Sequence, residues 1–146
     1  MYFYNSKKAE EIYLVDAPGY GYARGDKREL ERWGKMMLKY FTKSLFLHRV
    51  VCLIDAEHGI KEVDLMLYDL LEKKMKPFVV VFTKCDKVPE KKLIVTLNEA
   101  QETFRKFNMS SPIIHATSVK MGWGVNEFRA NLAFLLQMDV LHKPQS

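Results

Sequence analysis

Two polar motifs follow short apolar runs, at the points where strands would end and their side chains would meet a ligand. The first is Asp16-Ala17-Pro18-Gly19, a D-x-x-G pattern directly after Ile12–Val15. Its carboxylate could hold Mg²⁺ through the ion's waters, because Mg²⁺ keeps several waters and binds one or two carboxylates plus phosphates. Gly19 has no side chain, so its N–H could donate to a terminal phosphate. An ordinary Pro-Gly turn is the alternative interpretation.

The second motif is Thr83-Lys84-Cys85-Asp86-Lys87, after the apolar run Phe78–Phe82. The carboxylate of Asp86, at the end of a strand, could accept hydrogen bonds from both N1–H and the exocyclic amine of guanine. Adenine offers no such pair of donors, so this carboxylate would discriminate between the two purines. The methylenes of Lys84 could lie along the base while its ammonium stays in water. A solvated loop with a Lys–Asp pair is the alternative.

A third polar stretch, Thr117-Ser118-Val119-Lys120, follows the weak apolar pair Ile113–Ile114. A backbone N–H within Ser118–Lys120 could donate to O6 of guanine, although the stretch by itself is an ordinary polar loop. The three patterns occur in the order expected of a guanine-nucleotide site. That coincidence is more informative than any one match.

The apolar pattern predicts the elements that position these groups. Val50–Ile54 and Phe78–Phe82 are apolar without alternation, as expected of strands covered on both faces of a parallel sheet. Stretches with helical spacing lie between the runs, so the predicted fold is an α/β doubly wound sheet. Ile12–Val15 and Ile113–Ile114 are further strands, and Met1–Tyr4 is predicted to be an edge strand. The apolar helical stripes are Leu30, Trp33, Met37 and Phe41; Val63, Met66, Leu67, Leu70 and Leu71; Leu93, Leu97, Ala100, Phe104 and Phe107; and Phe128, Leu132, Leu135 and Leu136.

Composition limits the class of protein. A length of 146 residues suits one domain, and 48% hydrophobic residues are enough for a core. No apolar run is long enough to span a membrane, and neither a secretory signal nor a transit peptide is visible at the N-terminus. Cys52 and Cys85 cannot form a disulfide framework, which indicates a reducing compartment. The net charge of +5 permits an anionic partner.

Together the motifs resemble those of the Ras-like P-loop GTPases, and specifically the EngB/YihA family of ribosome-assembly GTPases and its mitochondrial relatives. The resemblance covers essentially the whole chain and rests on DAPGYGYA at 16–23, IDAEHG at 54–59, TKCDK at 83–87 and TSVK at 117–120. It implies GTP and GDP as ligands, Mg²⁺ bound together with GTP, and ribosomal large-subunit RNA or proteins as partners. It also implies a mitochondrial location, with a cytoplasmic one as the alternative. It does not indicate an oligomeric state.

The resemblance also implies the site residues. Asp16 and Gly19 would form the motif for Mg²⁺ and the γ-phosphate. Thr83, Lys84 and Asp86 would form the guanine-specificity motif, with Thr83 in place of the commoner Asn. Glu57 stands where Arg is expected, so no ligand role is assigned to it. Tyr20 follows Gly19 where Ras-like proteins carry a water-orienting Gln, and a phenol cannot reproduce the donor and acceptor of that amide. Hydrolysis is therefore expected to be slow or to depend on a partner or an ion. The implied nucleotide-binding residues are Asp16, Gly19, Thr83, Lys84, Asp86, Lys87, Ser118, Val119 and Lys120.

No G-x-x-x-x-G-K-[ST] sequence occurs in the chain. Residues 1–146 are therefore expected to form one partial GTPase domain, with the family's first strand, P-loop and first helix upstream of Met1. Because those parts hold the phosphates, we expect an affinity for GTP no better than about millimolar, roughly 4 kcal/mol of binding. By the resemblance, the missing strand lies between Ile12–Val15 and Val50–Ile54. These two strands are expected either to pair with each other or to leave the chain marginal and prone to aggregate.

Two alternatives to a nucleotide-binding protein remain open: a non-enzymatic basic module that binds ribosomal RNA or protein, and a non-functional truncated isoform. Basic residues in the N-terminal third could form a footprint for a phosphate backbone, although scattered solvated lysines give the same pattern. Tyr20, Tyr22 and Trp33 are interleaved with them and could stack on bases or pack in the core. The basic residues are Lys7, Lys8, Arg24, Lys27, Arg28, Lys35, Lys39 and Lys43.

Overall fold

The computed structural model of the chain describes residues 2–5, 13–19 and 27–141. The strands are β1 (Tyr2–Asn5), β2 (Tyr13–Asp16), β3 (Leu47–Asp55), β4 (Phe78–Thr83) and β5 (Ser110–Ala116). The helices are α1 (Lys27–Lys43), α2 (Glu62–Lys73), α3 (Glu90–Phe104) and α4 (Val125–Leu141), and a short 3₁₀ turn spans Cys85–Lys87. Each predicted strand is present on its apolar segment, and each apolar stripe lies on a helix apart from Phe107, which follows α3. The α/β class is therefore confirmed.

The five strands form one sheet in the order β2-β1-β3-β4-β5. β3, β4 and β5 are parallel, whereas β1 is antiparallel to both of its neighbours. Asp55 lies opposite Thr83, and Phe82 lies opposite Ala116. The carboxyl ends of the three parallel strands therefore meet at one edge, where α/β sheets bind their ligands.

The prediction of an edge strand at Met1–Tyr4 is wrong, because β1 lies inside the sheet. Phe3 is opposite Val15 of β2 on one side and opposite Val50 of β3 on the other. The strand at this edge of the sheet is β2. Pairing of β2 with β3, one of the two outcomes expected for a chain without the family's first strand, is therefore not observed. Instead, β1 occupies the place beside β3 and pairs backbone groups that would otherwise lack partners.

A large apolar cluster covers one face of the sheet and receives side chains from α1, α2 and α3. Tyr68 of α2 stacks on Phe78 of β4 with ring centroids 5.2 Å apart, and Phe104 of α3 meets Tyr68 edge-on at 5.0 Å. Met66 departs from the predicted buried stripe, since it is 61% exposed. On this helix Leu67 and Leu71 point into the core, and Met66 lies about 100° away from Leu67 around the axis.

The opposite face carries a smaller cluster, in which Val51, Val79 and Val81 pack against Phe128 and Leu132 of α4. Helices thus cover both faces, which agrees with the predicted doubly wound arrangement. Among the residues that the structure describes, no helix is long and apolar enough to cross a bilayer.

Candidate functional site

The loops after β4 and β5 meet through a hydrogen bond between Ser118 and Asp86. Ser118 Oγ donates to Asp86 Oδ1 at 2.5 Å, and Ser118 has no exposed surface. The same oxygen accepts the N–H of Met121 at 3.1 Å, which leaves the Ser118 hydroxyl hydrogen for the carboxylate. Asp86 Oδ2 accepts no hydrogen bond from any described residue, so one oxygen of the carboxylate is positioned and the other is available to a ligand.

Backbone hydrogen bonds hold the two loops together beneath this contact. Thr117 donates to the carbonyl of Phe82 through both its N–H, at 2.7 Å, and its hydroxyl, at 2.9 Å. In return, the N–H of Cys85 donates to the carbonyl of Thr117 at 3.1 Å. Burial raises the pKa of the Cys85 thiol, so this side chain packs in the loop as a neutral group.

The segment Ser118–Lys120 offers fewer donors than the sequence implies. The N–H of Ser118 donates to the carbonyl of Trp123 at 3.0 Å and is therefore already used. The N–H groups of Val119 and Lys120 make no hydrogen bond within the described part of the chain, and Val119 is 87% exposed. The possible donors to a guanine O6 are thus reduced from three to two.

Gly124, which the sequence did not single out, sets the path of the chain between this loop and α4. Its φ is +66°, and a Cβ at this position would lie 2.0 Å from the carbonyl oxygen of Ala116. Gly122 also has a positive φ, of +71°, but nothing lies within 4 Å of where its Cβ would be. Two glycines two residues apart signal a turn, but the close approach to β5 arises only in the folded chain.

Lys84 reaches from the end of β4 to the end of β3. Its backbone is left-handed, with φ 57° and ψ 33°, and its Nζ lies 2.6 Å from Asp55 Oδ2. The ammonium therefore pairs with a carboxylate, and the side chain remains 55% exposed to water. Burial alone would raise the pKa of Asp55, but hydrogen bonds from Lys84 and the N–H of Glu57 outweigh it and hold that pKa below its usual value.

Two further contacts connect the TKCDK loop to β3. Lys87 Nζ lies 3.1 Å from Glu57 Oε2, and both side chains are exposed. The hydroxyl of Thr83 donates to the carbonyl of Ile54 at 3.2 Å. Glu57, to which the sequence assigns no ligand role, therefore contacts the last lysine of the motif.

Asp16 lies apart from the residues at the carboxyl ends of β3, β4 and β5. It is opposite Tyr2 of β1, which is itself opposite Val51 of β3. Because β2 and β3 run in the same direction, Asp16 ends its strand four residues before Asp55, about 13 Å along the strand direction. The structure therefore assembles Thr83, Asp86 and their neighbours at one edge but does not bring Asp16 level with them.

The loop after Asp16 contacts α1. The indole Nε1–H of Trp33 donates to the carbonyl of Pro18 at 2.8 Å, and the ring packs against the core. Of the two roles that the sequence left open for Trp33, packing is the observed one. Gly19 is exposed at the end of this loop. Tyr20 and Tyr22 lie outside the described residues.

The described residues do not form a Mg²⁺ site by themselves. Within them, no three His, Cys, Asp or Glu side chains come together in a group that could hold a metal ion. Asp16 is an exposed single carboxylate at the end of β2, so nucleotide phosphates and water would have to supply the other ligands of an ion bound there.

A family model described as "50S ribosome-binding GTPase" matches residues 2–84. The chain is 38% identical over 121 residues to the probable GTP-binding protein EngB of Roseobacter denitrificans, which covers 83% of this chain and 56% of the relative. It is 34% identical over 135 residues to the probable GTP-binding protein EngB of Bradyrhizobium diazoefficiens. That match covers 92% of this chain and 62% of the relative. The chain thus spans little more than half the length of these curated relatives.

The fold is also found in a crystal structure of a probable GTP-binding protein engB. That structure superposes with a TM-score of 0.67 at 18% identity and covers 85% of this chain and 76% of its own. The family match, the curated relatives and the shared fold agree with the strand-end motifs. The chain therefore belongs to the 50S ribosome-binding GTPases and is of the EngB type.

Proposed function

We propose that this chain recognises the guanine base of GTP and GDP as part of an EngB-type GTPase that acts in assembly of the large ribosomal subunit. The observation that supports base recognition is the carboxylate of Asp86, positioned by the buried Ser118 with Oδ2 left to accept hydrogen bonds. Membership of the family supports the ribosomal role.

In this proposal guanine lies between the TKCDK loop and Ser118–Lys120. Its N1–H and exocyclic amine donate to Asp86, and O6 accepts from the N–H of Val119 or Lys120. The methylenes of Lys84, stretched toward Asp55, lie along one face of the base. Adenine would turn the lone pair of N1 toward the carboxylate and leave these donors and acceptors unmatched. Since hydrogen bonds to charged groups contribute about 1.5–3 kcal/mol, the mismatch accounts for a preference of roughly 10- to 100-fold.

The phosphates are held less well than the base. The chain has no G-x-x-x-x-G-K-[ST] sequence, and Asp16 is an exposed single carboxylate. We therefore expect an affinity no better than about millimolar and little hydrolysis of GTP by this chain alone, with Mg²⁺ entering together with GTP. Single-turnover hydrolysis as fast as that of a version with a preceding P-loop would contradict this expectation.

The proposal is tested by NMR titration of the ¹⁵N-labelled chain with GMP and AMP. GMP is expected to shift the amide signals of Val119 and Lys120 at millimolar concentrations, and AMP is expected to leave them in place. Asp86→Ala should abolish the GMP response. Asp69→Ala removes the same side chain from an exposed position of α2 and should retain the response. Equal responses to the two purines would contradict base recognition.

Tests of the ribosomal role and of the location in the cell use the protein expressed in cells. Sedimentation of the tagged protein with large ribosomal subunits, and its loss from them after Asp86→Ala, would support the ribosomal role. A mitochondrial location is proposed from the family resemblance and is checked by imaging. A chain that unfolds without cooperativity and is rapidly degraded would instead favour the non-functional isoform.

A further inference from the structure

We propose that the outward face of α1 binds the phosphate backbone of RNA. This inference rests on the proposed association with the ribosome but not on guanine recognition. Five cations lie along the helix with spacings of four, three, four and four residues. At 100° per residue they fall along one line, within about 80° around the helix axis and about 22 Å long, which we call the basic stripe. All are exposed; they are Arg28, Arg32, Lys35, Lys39 and Lys43.

The packing of α1 determines which way the basic stripe points. Met37 is 2% exposed and Phe41 is 1% exposed, and both belong to the core cluster on which Trp33 also packs. These side chains are on the side of the helix opposite the stripe, so the stripe points to solvent. The acidic residues Glu29 and Glu31 lie to either side of the line rather than on it.

Four of the five charges of the stripe are not used in ion pairs of the described fold. Arg32, Lys35, Lys39 and Lys43 form no ion pair with any residue that the structure describes. In contrast, Lys84 and Lys87 at the nucleotide edge are each paired with a carboxylate. Binding of an anion to the stripe therefore breaks no ion pair of these four residues, and the released counterions favour association.

The structure separates this stripe from the broader set of basic residues that the sequence indicates. Lys7, Lys8 and Arg24 lie outside the described residues, and the side chain of Lys27 is not described. Arg32, absent from that set, closes the gap between Arg28 and Lys35. The periodicity of the helix, rather than the number of cations, thus defines the surface.

RNA fits this surface better than a membrane does. A helix that lies on a bilayer inserts its main apolar face, whereas the apolar stripe Trp33, Met37 and Phe41 of α1 packs in the core against the sheet. A rigid row of cations about one helical turn apart suits a chain of regularly spaced phosphates, whose recognition needs charge and no base contact.

The test measures binding of a fluorescently labelled RNA hairpin of mixed sequence as a function of salt. The triple variant Arg32→Gln, Lys35→Gln, Lys39→Gln should bind about tenfold or more weakly at low salt. The slope of log affinity against log salt should fall in magnitude by about 2 to 3, because roughly 0.7 to 0.9 of a counterion is released for each phosphate contact. The matched control, Lys73→Gln, Lys106→Gln, Arg129→Gln, removes three exposed cations from α2, the α3–β5 loop and α4 and should stay close to the wild type.

Three results would overturn the proposal. One is equal weakening in the control triple, which would assign binding to net charge alone. The second is wild-type binding no stronger than that of the stripe variant. The third is tighter binding to phosphatidylglycerol vesicles or to polyglutamate than to the hairpin, which would assign the stripe to a membrane or to an acidic protein. The GMP titration is run on the same variants, so a failure of RNA binding with guanine preference intact is distinguishable from a failure of base recognition.

Discussion

Ser118 and Asp86 are 32 residues apart in the chain, yet a hydroxyl with no exposed surface donates to one oxygen of a partly exposed carboxylate at 2.5 Å. This relationship orients the carboxylate, because Oδ1 stays with Ser118 while Oδ2 accepts no hydrogen bond from the residues that the structure describes. The chemistry at Oδ2 should therefore decide which base is accepted.

Asp86→Asn should change the preferred base from guanine to xanthine. The carbonyl of the introduced side-chain amide can keep the bond from Ser118, and its N–H₂ group then stands where Oδ2 accepted a donor. Xanthine presents a carbonyl at C2 in place of the guanine amine, so it matches the new donor. NMR titration with GMP and XMP measures the change, with Asp69→Asn as the matched control. A variant that still prefers GMP would contradict the assigned role of Oδ2.

Asp55→Asn should weaken GMP binding at most about fivefold, since an exposed ion pair contributes about 0.2–1 kcal/mol. Its effect should act through Lys84, whose ammonium lies 2.6 Å away. In the Lys84→Met background the same change should therefore have no further effect, which a double-mutant cycle measures. Glu102→Gln, which removes a carboxylate from the exposed pair with Arg105, is the control. Additive effects of Asp55→Asn and Lys84→Met would show that Asp55 acts independently.

Gly124→Ala should destabilise the chain by more than about 2 kcal/mol. The added methyl group would meet the carbonyl of Ala116 at 2.0 Å, and the positive φ would add strain. Gly122→Ala carries the same kind of backbone strain without the clash, so it should cost about 1–2 kcal/mol. Urea unfolding compares the two variants. Equal losses would mean that the end of β5 can move away from α4 at little cost.

Glu72→Gln should lower the melting temperature at neutral pH, and it should lower it much less at acidic pH. The N–H of Met109 and the side-chain amide of Asn108 each donate to this carboxylate at 2.9 Å. These bonds hold the pKa of Glu72 below its usual 4.5. A carboxyl group whose pKa is lower in the folded chain than in the unfolded chain stabilises the fold at pH values above its unfolded-state pKa. That stabilisation is lost as the pH falls through the folded-state pKa. The difference in melting temperature between wild type and variant should therefore shrink below pH 4.5.

For this prediction Glu102→Gln is again the control, because Glu102 is exposed and, among the described residues, forms its ion pair with the nearby Arg105. Its melting temperature should follow that of the wild type across the same pH range. If the deficit of Glu72→Gln were constant with pH, packing rather than the ionised carboxylate would explain the loss.

The sequence predicts the parallel half of the sheet well for a physical reason. Strands covered on both faces, such as Val50–Ile54 and Phe78–Phe82, must be continuously apolar, and this pattern is visible without a structure. The polar residues that follow them then mark the edge of the sheet. The grouping of Asp86 with Ser118 follows from the parallel pairing of β4 with β5.

Other features depend on contacts that no local pattern carries. The position of β1 depends on which strand offers it backbone partners, and the local sequence does not indicate that strand. The partner of Lys84 is 29 residues away, and the approach of Gly124 to Ala116 depends on how α4 docks. The basic stripe can be identified only when the positions around the axis of α1 are known, because a count of cations does not show that Arg32 lies on the same face as Arg28 and Lys35.

The insertion of β1 beside β3 also limits how the sheet can grow. Phe3 and its neighbours pair with one side of β3 from Leu47 to Val51, while β2 and β5 keep one unpaired side each within the described sheet. An incoming strand can add at either border without disturbing what is there. To pair with Leu47–Val51 of β3, an incoming strand must displace β1 and replace its antiparallel hydrogen bonds with new ones. The amide protons of β1 would then exchange faster with solvent deuterium, which would report the displacement.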